Sequence, residues 1–380
     1  MNKFKIKTEV RFSTNALDTL LEFKNVNAVV ITDDFMLKSG AADKVCEKLS
    51  GCTKVDIFSE VIPDPPISLI TKGFKFLSDC DADIVVALGG GSSIDAAKSM
   101  VLMAKRIKKE KNIKLIAIPT TSGTGSEVTQ FAVITDEEKG LKYPLVDEEL
   151  LPDLAILVPE FVTTVPPAVT ADTGFDVITH AIEAYISTMS NDASDALSEK
   201  AITIAFEYLP IAYKYGDNVI AREKMHSASC LAGMAFNEVG LGINHGIAHA
   251  LGAKFHIPHG RANAMLLPHV IRFNADLRGN FGEDKITQAA KRLAETARRL
   301  RLPHDNTRIA VRSLIEEINY MLKMMKIPAT LGEAGITEQE YNEHKTQIIE
   351  SALHDTCTAT NPRKVTKEDV EEILSHIAIF

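Results

Sequence analysis

A chain of 380 residues, 45% hydrophobic and 24% charged, has the apolar mass for a large core, and its length predicts two domains. A formal charge of −9 excludes nucleic acid and anionic membrane surfaces as expected partners. Five cysteines without a CxxC pair, and no apolar run long enough to cross a bilayer or act as a signal, predict a reduced cytoplasmic protein, neither secreted nor membrane-spanning.

From the amino terminus to residue 164, short β-branched runs alternate with helical stretches. The runs are 28–32, 54–58, 84–88, 115–118 and 154–158. This alternation predicts a mostly parallel sheet covered by helices, an α/β domain over 1–164. Asp33 closes the first run, where a carboxylate that bonds adenosine ribose hydroxyls often stands, although Asp is common after any strand. The third run enters Gly89, Gly90, Gly91, Ser92 and Ser93 and then a helix. Glycines let backbone approach a phosphate, and the helix start directs free N–H groups at it. The same residues also suit a plain tight turn, and they are not the GxGxxG fingerprint. The basic run Lys105–Lys111 falls where that helix should end, and cations there suit the helix dipole. The fourth run opens into PTTSGTGSEVT (119–129), whose hydroxyls and glycines suit a ribose and pyrophosphate, or equally bond their own backbone.

Pro166 and Pro167 predict an extended hinge. Beyond it, apolar residues recur at three and four residue spacing, as in 193–213 and 285–300, so 165–380 reads as a helical domain. Asp176 and His180 stand four apart on one helix face, about 6 Å from each other, a spacing that chelates an ion but more often makes a polar pair. Downstream, His245, His249, His256 and His259 crowd into one glycine- and alanine-rich segment, which turns the odds towards a metal. Imidazoles and a carboxylate suit a divalent transition ion without separating zinc from iron, and the lack of a nearby cysteine argues against a structural zinc-thiolate site. His226 and His269 read as ordinary packing or surface histidines.

The stretches GGGSSIDAAK, PTTSGTGSEVT, KYPLVD, DTGFDVITHAIEAY and GINHGIAHALGAKFHIPHGRANAMLLPHV together resemble the iron-containing, or group III, alcohol dehydrogenases over nearly the whole chain. The resemblance implies a dinucleotide-binding α/β domain followed by an all-α metal-binding domain, the architecture shared with dehydroquinate synthase, with the site in the cleft between them. It implies that Asp176, His180, His245 and His259 hold one divalent ion, ferrous iron with zinc as the other candidate. His249 matches the family's additional active-site histidine. NAD contacts implied in the same way are Asp33, Asp64, Gly90, Gly91, Ser92, Thr120, Thr121, Thr129 and Lys142, with Asp64 standing where the family often has Asn. In detail the chain resembles the short-chain propanol and ethanol dehydrogenases associated with bacterial microcompartments, which implies a small alcohol or aldehyde substrate, a homo-oligomer and a shell partner. Three neutral imidazoles and one carboxylate would leave a divalent ion with a single net positive charge, an electrophile for an alcohol or carbonyl oxygen. The competing expectation is an NAD-using cyclase like dehydroquinate synthase, a lyase acting on a phosphorylated substrate, but Lys254 and Arg261 are the basic residues near the histidines, few for such a ligand.

Overall fold

The computed structural model describes residues 4–107, 112–138, 141–277 and 286–380. Positions 108–111 of the basic run and Lys285 of the helical stretch 285–300 lie outside the described residues. The chain divides into two compact units, one of residues 1–165 and 217–237, the other of 166–216 and 238–380.

The first unit carries strands β1 (Glu9–Phe12), β2 (Asn27–Asp33), β3 (Lys54–Val61), β4 (Ile84–Gly89) and β5 (Lys114–Pro119), a hairpin of β6 (Phe131–Asp136) and β7 (Leu141–Val146), and β8 (Leu154–Leu157). Its helices are α1 (Asp34–Lys38), α2 (Ala41–Lys48), α3 (Ile67–Asp79) and α4 (Gly91–Ile107). Six strands pair in parallel in the order β1-β8-β5-β4-β2-β3. The side chains of β2, β4 and β5 alternate strictly. Ala28, Val30, Val86, Leu88, Ile116 and Ile118 join one apolar layer, and Val29, Ile31, Val85, Ala87, Leu115 and Ala117 join the other. A sheet covered on both faces needs apolar residues at every position, which is why these strands are continuous β-branched runs. Each such Val or Ile contributes about 1.5–3 kcal/mol by burial. From β2 the chain winds outward to β3, then returns to place β4 on the other side of β2. The loops after β2 and β4 therefore leave adjacent strands in opposite directions, the crevice where open α/β sheets bind ligands.

Two strand features escape the sequence reading. β1 is a four-residue edge strand with partly exposed residues, so it lacks the apolar run of its neighbours. The antiparallel β6–β7 hairpin interrupts the alternation of strand and helix.

The second unit is helical and begins with α5 (Pro167–Ile186) and α6 (Asp192–Lys214). Next in the chain, α7 (Val219–Val239) lies mostly in the first unit. The remaining helices are α8 (Ile243–Phe255), α9 (His259–Ala275), α10 (Gln288–Arg299), α11 (Thr307–Met324), α12 (Glu338–His354) and α13 (Lys367–Ser375). Against the expected boundary at 164/165, 217–237 rejoins the sheet unit for a physical reason. Arg222 donates to Val165 O at 2.8 Å, Asn237 accepts from Gln130 N at 2.7 Å, and His226 pairs with Ser122 at 2.9 Å. The first passage between the units falls at the prolines, and Pro166 is extended, with φ −59° and ψ 151°. Pro167 is the first residue of α5, where a fixed φ and a missing N–H suit the helix start. α8, α9, α12 and α13 share one core that includes Ile247, Leu251, Leu266, Ile348 and Leu374. No helix among the described residues is long and apolar enough to cross a membrane.

Candidate metal centre and nucleotide site

α5 is buried almost throughout, and one of its faces carries Asp172, Asp176, His180 and Glu183, spaced four, four and three apart. Asp176 and His180 are joined by His245, on the first turn of α8, and by His259, the first residue of α9. The donor atoms of these four side chains all lie within 4.8 Å of one another. From Asp176 Oδ1 the distances are 3.4 Å to His259 Nε2, 3.8 Å to His245 Nε2 and 3.9 Å to His180 Nε2. Ligands about 2.1 Å from a tetrahedral ion stand about 3.4 Å apart, so the cluster fits one divalent transition ion with little movement. His180 and His245 stack at 4.6 Å between ring centroids.

Behind the four donors lies a second set that the sequence reading missed. Glu183 is 2% exposed and accepts from His245 Nδ1 at 2.5 Å. It also accepts from the backbone of Asn244 at 2.7 Å, so it closes the start of α8 as well. With Nδ1–H given to Glu183, the Nε2 lone pair of His245 faces the cluster. Asn263, fully buried on α9, donates from Nδ2 to Asp176 Oδ1 at 2.8 Å and stands 3.1 Å from Nε2 of both His245 and His259. Its Oδ1 accepts from Asn244 Nδ2 at 2.9 Å, which fixes the amide's orientation. Arg261 grips Asp172 through two hydrogen bonds, of 3.2 and 3.0 Å. The start of α9 fits tightly on α5. A Cβ at Gly260 would lie 2.0 Å from the carbonyl oxygen of Asp172, so only glycine permits this crossing.

These contacts set the charges. Burial works against the Asp176 carboxylate, yet the surrounding imidazoles hold it far below the ordinary carboxylate range. Burial also opposes a charged His245, but Asp176 and Glu183 outweigh it and raise the ring to about 9, so an ion binding at Nε2 would displace a proton from it. Two carboxylates, not one, face the imidazoles. A divalent ion held by three neutral imidazoles and Asp176 would keep a single net positive charge, with the Glu183 carboxylate standing behind His245 and not among the donors.

His249 lies one turn beyond His245 on α8. Its ring stacks on His259 at 5.1 Å, and its Nδ1 pairs with Asp355 Oδ2 at 2.8 Å. Asp355 is held in turn by the backbone N–H of Cys357 at 2.8 Å. His256 takes no part. It is an exposed residue ending α8 in the left-handed conformation. His269 does stack, on His376 at 5.0 Å.

In the sheet unit, Asp33 ends β2, Gly90, Gly91 and Ser92 follow β4, and Thr120 and Thr121 follow β5. The structure brings these together. Thr120 N donates to Gly89 O at 3.0 Å, and a Cβ on Gly90 would find only Thr121, at 3.5 Å, leaving an open approach to backbone. Asp33 Oδ1 caps α1 through Met36 N at 2.9 Å, while Oδ2 is 3.4 Å from Ser93 Oγ. Lys142, on the hairpin, forms an exposed ion pair with Asp64 at 2.7 Å. Asp64 has φ +53°, a left-handed conformation that Asn and Asp tolerate better than other side chains, so Asp fills a position otherwise suited to Asn. Thr129 is buried beside Lys98.

A metal-fitting histidine cluster in a helical unit and a phosphate-fitting switch point in a parallel sheet are the two halves of a metal-dependent dehydrogenase. Comparison with known proteins agrees. The model described as iron-containing alcohol dehydrogenase matches residues 7–159, and that described as Fe-containing alcohol dehydrogenase family, C-terminal, matches 170–378. The chain belongs to the iron-containing alcohol dehydrogenase family. It is 42% identical to the 1-propanol dehydrogenase PduQ of Citrobacter freundii, across 99% of this chain and 100% of the relative. Among solved structures it is similar to a 1,3-propanediol oxidoreductase, with a TM-score of 0.88, 32% identity and coverage of 99% of both chains. It is similar also to a sulfoacetaldehyde reductase from Bifidobacterium kashiwanohense in complex with NAD+, with a TM-score of 0.87, 26% identity and coverage of 100% and 99%.

Proposed function

We propose that this alcohol dehydrogenase interconverts short-chain primary alcohols and aldehydes with NAD as cofactor, and that it works as an aldehyde reductase in fermentative metabolism. The observation that carries the reading is the convergence of Asp176, His180, His245 and His259 with the His249 ring stacked at their edge. Those four residues would hold the ion, which supplies a Lewis acid for the substrate oxygen while the nicotinamide supplies or accepts the hydride. Glu183 keeps the His245 Nε2 lone pair directed into the cluster. Asn263 fixes the Asp176 carboxylate from the opposite side by donating to its Oδ1. His249 is 43% exposed at its side chain, so it is placed to pass a proton between substrate oxygen and water, with Asp355 fixing its tautomer.

In the sheet unit, Gly90, Gly91 and Ser92 would take the pyrophosphate at the start of α4, and Asp33 the adenosine ribose. Thr120, Thr121, Thr129, Asp64 and Lys142 complete the proposed NAD contacts. The family relationship to propanol dehydrogenases extends the proposal to small alcohols as substrates, a homo-oligomer and a place inside a bacterial microcompartment in the cytoplasm. The cyclase reading is disfavoured because Arg261 is already spent on Asp172, which leaves little cationic surface for a phosphorylated substrate.

The test uses protein purified without oxygen and loaded with ferrous iron, with NADH oxidation followed over a panel of C2 to C5 aldehydes. Saturable turnover with the short members is the expected result. NADH left unoxidised across the panel would overturn the proposal.

A further inference from the structure

The sheet unit buries a cation that the proposed chemistry does not use. Lys98, on α4, has no exposed surface. Its ammonium donates to Thr129 O at 2.7 Å, Phe131 O at 2.8 Å and Thr129 Oγ1 at 3.3 Å. Asp95, one turn earlier on the same helix, accepts from Ser126 Oγ at 2.6 Å and from Val133 N at 2.9 Å. Two charges of α4 thus fasten the segment 126–133 at four residues, Asp95 at its ends and Lys98 in its middle. Isolated ammonium groups are expelled from protein interiors, and this one is tolerated because each of its three hydrogens has an acceptor and Asp95 lies close by.

The pairing has a direction. An ammonium only donates, so Thr129 Oγ1 accepts from it. The single hydrogen of the Thr129 hydroxyl is then directed elsewhere, to an acceptor outside the Lys98 contacts. Thr129 itself is held in extended conformation where a short 3-10 turn, Ser126–Val128, ends.

We infer that Lys98 is a positioning residue for the dinucleotide: it ties 126–133 to the helix that begins at the glycine turn, and it commits the Thr129 hydroxyl to donating to an acceptor oxygen of the cofactor. The inference rests on the proposal that Thr129 contacts that cofactor. A carboxamide oxygen and a phosphate oxygen present the same acceptor chemistry. A lysine that merely filled the interior would hold the fold together without directing the hydroxyl.

The test is NADH affinity, by fluorescence titration of the metal-loaded protein, with metal content and melting temperature measured alongside. Lys98→Met, which keeps the length and removes the donors, is expected to weaken Kd by about tenfold or more at unchanged metal content. Thr129→Val should weaken it to a similar extent, and Thr129→Ser, which retains the hydroxyl, should not. The double variant Lys98→Met/Thr129→Val should be no weaker than Thr129→Val alone. Should Lys98→Met fail to fold, Asp95→Asn/Lys98→Met removes the cation together with one of its two carboxylate neighbours and is compared with Asp95→Asn. A lowered melting temperature with unchanged Kd overturns the inference, as does a double variant in which the two losses add. If Thr129→Val alone leaves Kd unchanged, the contact assigned to Thr129 falls, and the role of Lys98 falls with it.

Discussion

In the helical unit, the donors that converge are side chains on rigid helices, and their spacing is written into the chain: Asp176, His180 and Glu183 on one face of α5, His245 and His249 one turn apart on α8. In the sheet unit, the groups facing the switch point are largely backbone, offered by glycines and by a helix start, with Asp33 and a few hydroxyls at the rim. The difference teaches where substitution is informative. A helix-borne ligand can be deleted one at a time, whereas a backbone cradle is probed only through the side chains that hold it in place.

The largest effects belong to the metal-facing residues. His245→Ala and His259→Ala should each lose bound metal and turnover together, because each supplies one of only four donor atoms gathered within 4.8 Å of one another. His256→Ala, at an exposed helix end, should stay near the parent. Metal per mole of purified protein is the measurement, and full occupancy in His259→Ala would sink the ligand assignment.

His249→Gln should lower turnover by about 10²–10⁴-fold while the ion remains bound. A parental rate would reduce the residue to packing against His259. Glu183→Gln comes next, since the amide cannot accept from His245 with the strength of a carboxylate. Metal affinity should fall by about 10–100-fold, read by competition with a chelator. An unchanged affinity would mean that the buried carboxylate only closes the start of α8.

In the sheet unit, Asp33→Gly should move the NADP/NAD ratio of kcat/KM towards NADP by about tenfold, since a carboxylate repels a 2′-phosphate. Adjacent Asp34 limits the change. Glycine is tolerated at helix N-caps, so losing the bond to Met36 N should cost only a few tenths of a kcal/mol. An unchanged ratio would show that Asp33 does not face the ribose.

The smallest effect is one of stability. Burial lowers His226 from 6.5 to about 4. Above pH 6.5 the ring is neutral whether folded or unfolded. As the pH falls from 6.5 towards 4, the unfolded chain takes up a proton that the folded protein refuses, and stability is lost, by about 2 kcal/mol at pH 5. His226→Gln should therefore narrow the gap in melting temperature between pH 7 and pH 5. A gap of parental size would place the acid sensitivity in other groups.

Legibility in the sequence follows the same division. Five of the six parallel strands could be read from their β-branched runs, and the Asp176–His180 pair and the histidine-rich segment from their spacing, whereas the choice of His245 and His259 among those histidines was implied by the family resemblance. The edge strand β1 and the β6–β7 hairpin could not: β1 is short and partly exposed, and the hairpin, although Phe131–Ile134 is apolar, stands outside the alternation of strand and helix. Glu183 was in principle legible, being three residues beyond His180 on the same face. Asp355 was not, because 106 residues separate it from His249 and only tertiary packing joins them. Lys98 closes the stretch GGGSSIDAAK, but its burial was not legible, since lysine on a helix ordinarily faces solvent.

The crossing at Gly260 bears on how this protein matures. Because α9 can approach α5 so closely, and because Asn263 orients Asp176, four donors from three helices are held at ligand spacing by packing and hydrogen bonds. Such a donor set does not by its residue types choose among divalent transition ions, so the ion acquired depends on what the surroundings supply. Zinc generally outcompetes ferrous iron for nitrogen and oxygen donors. An iron-loaded population would therefore reflect scarcity of free zinc where the protein matures more than any discrimination by the shell itself.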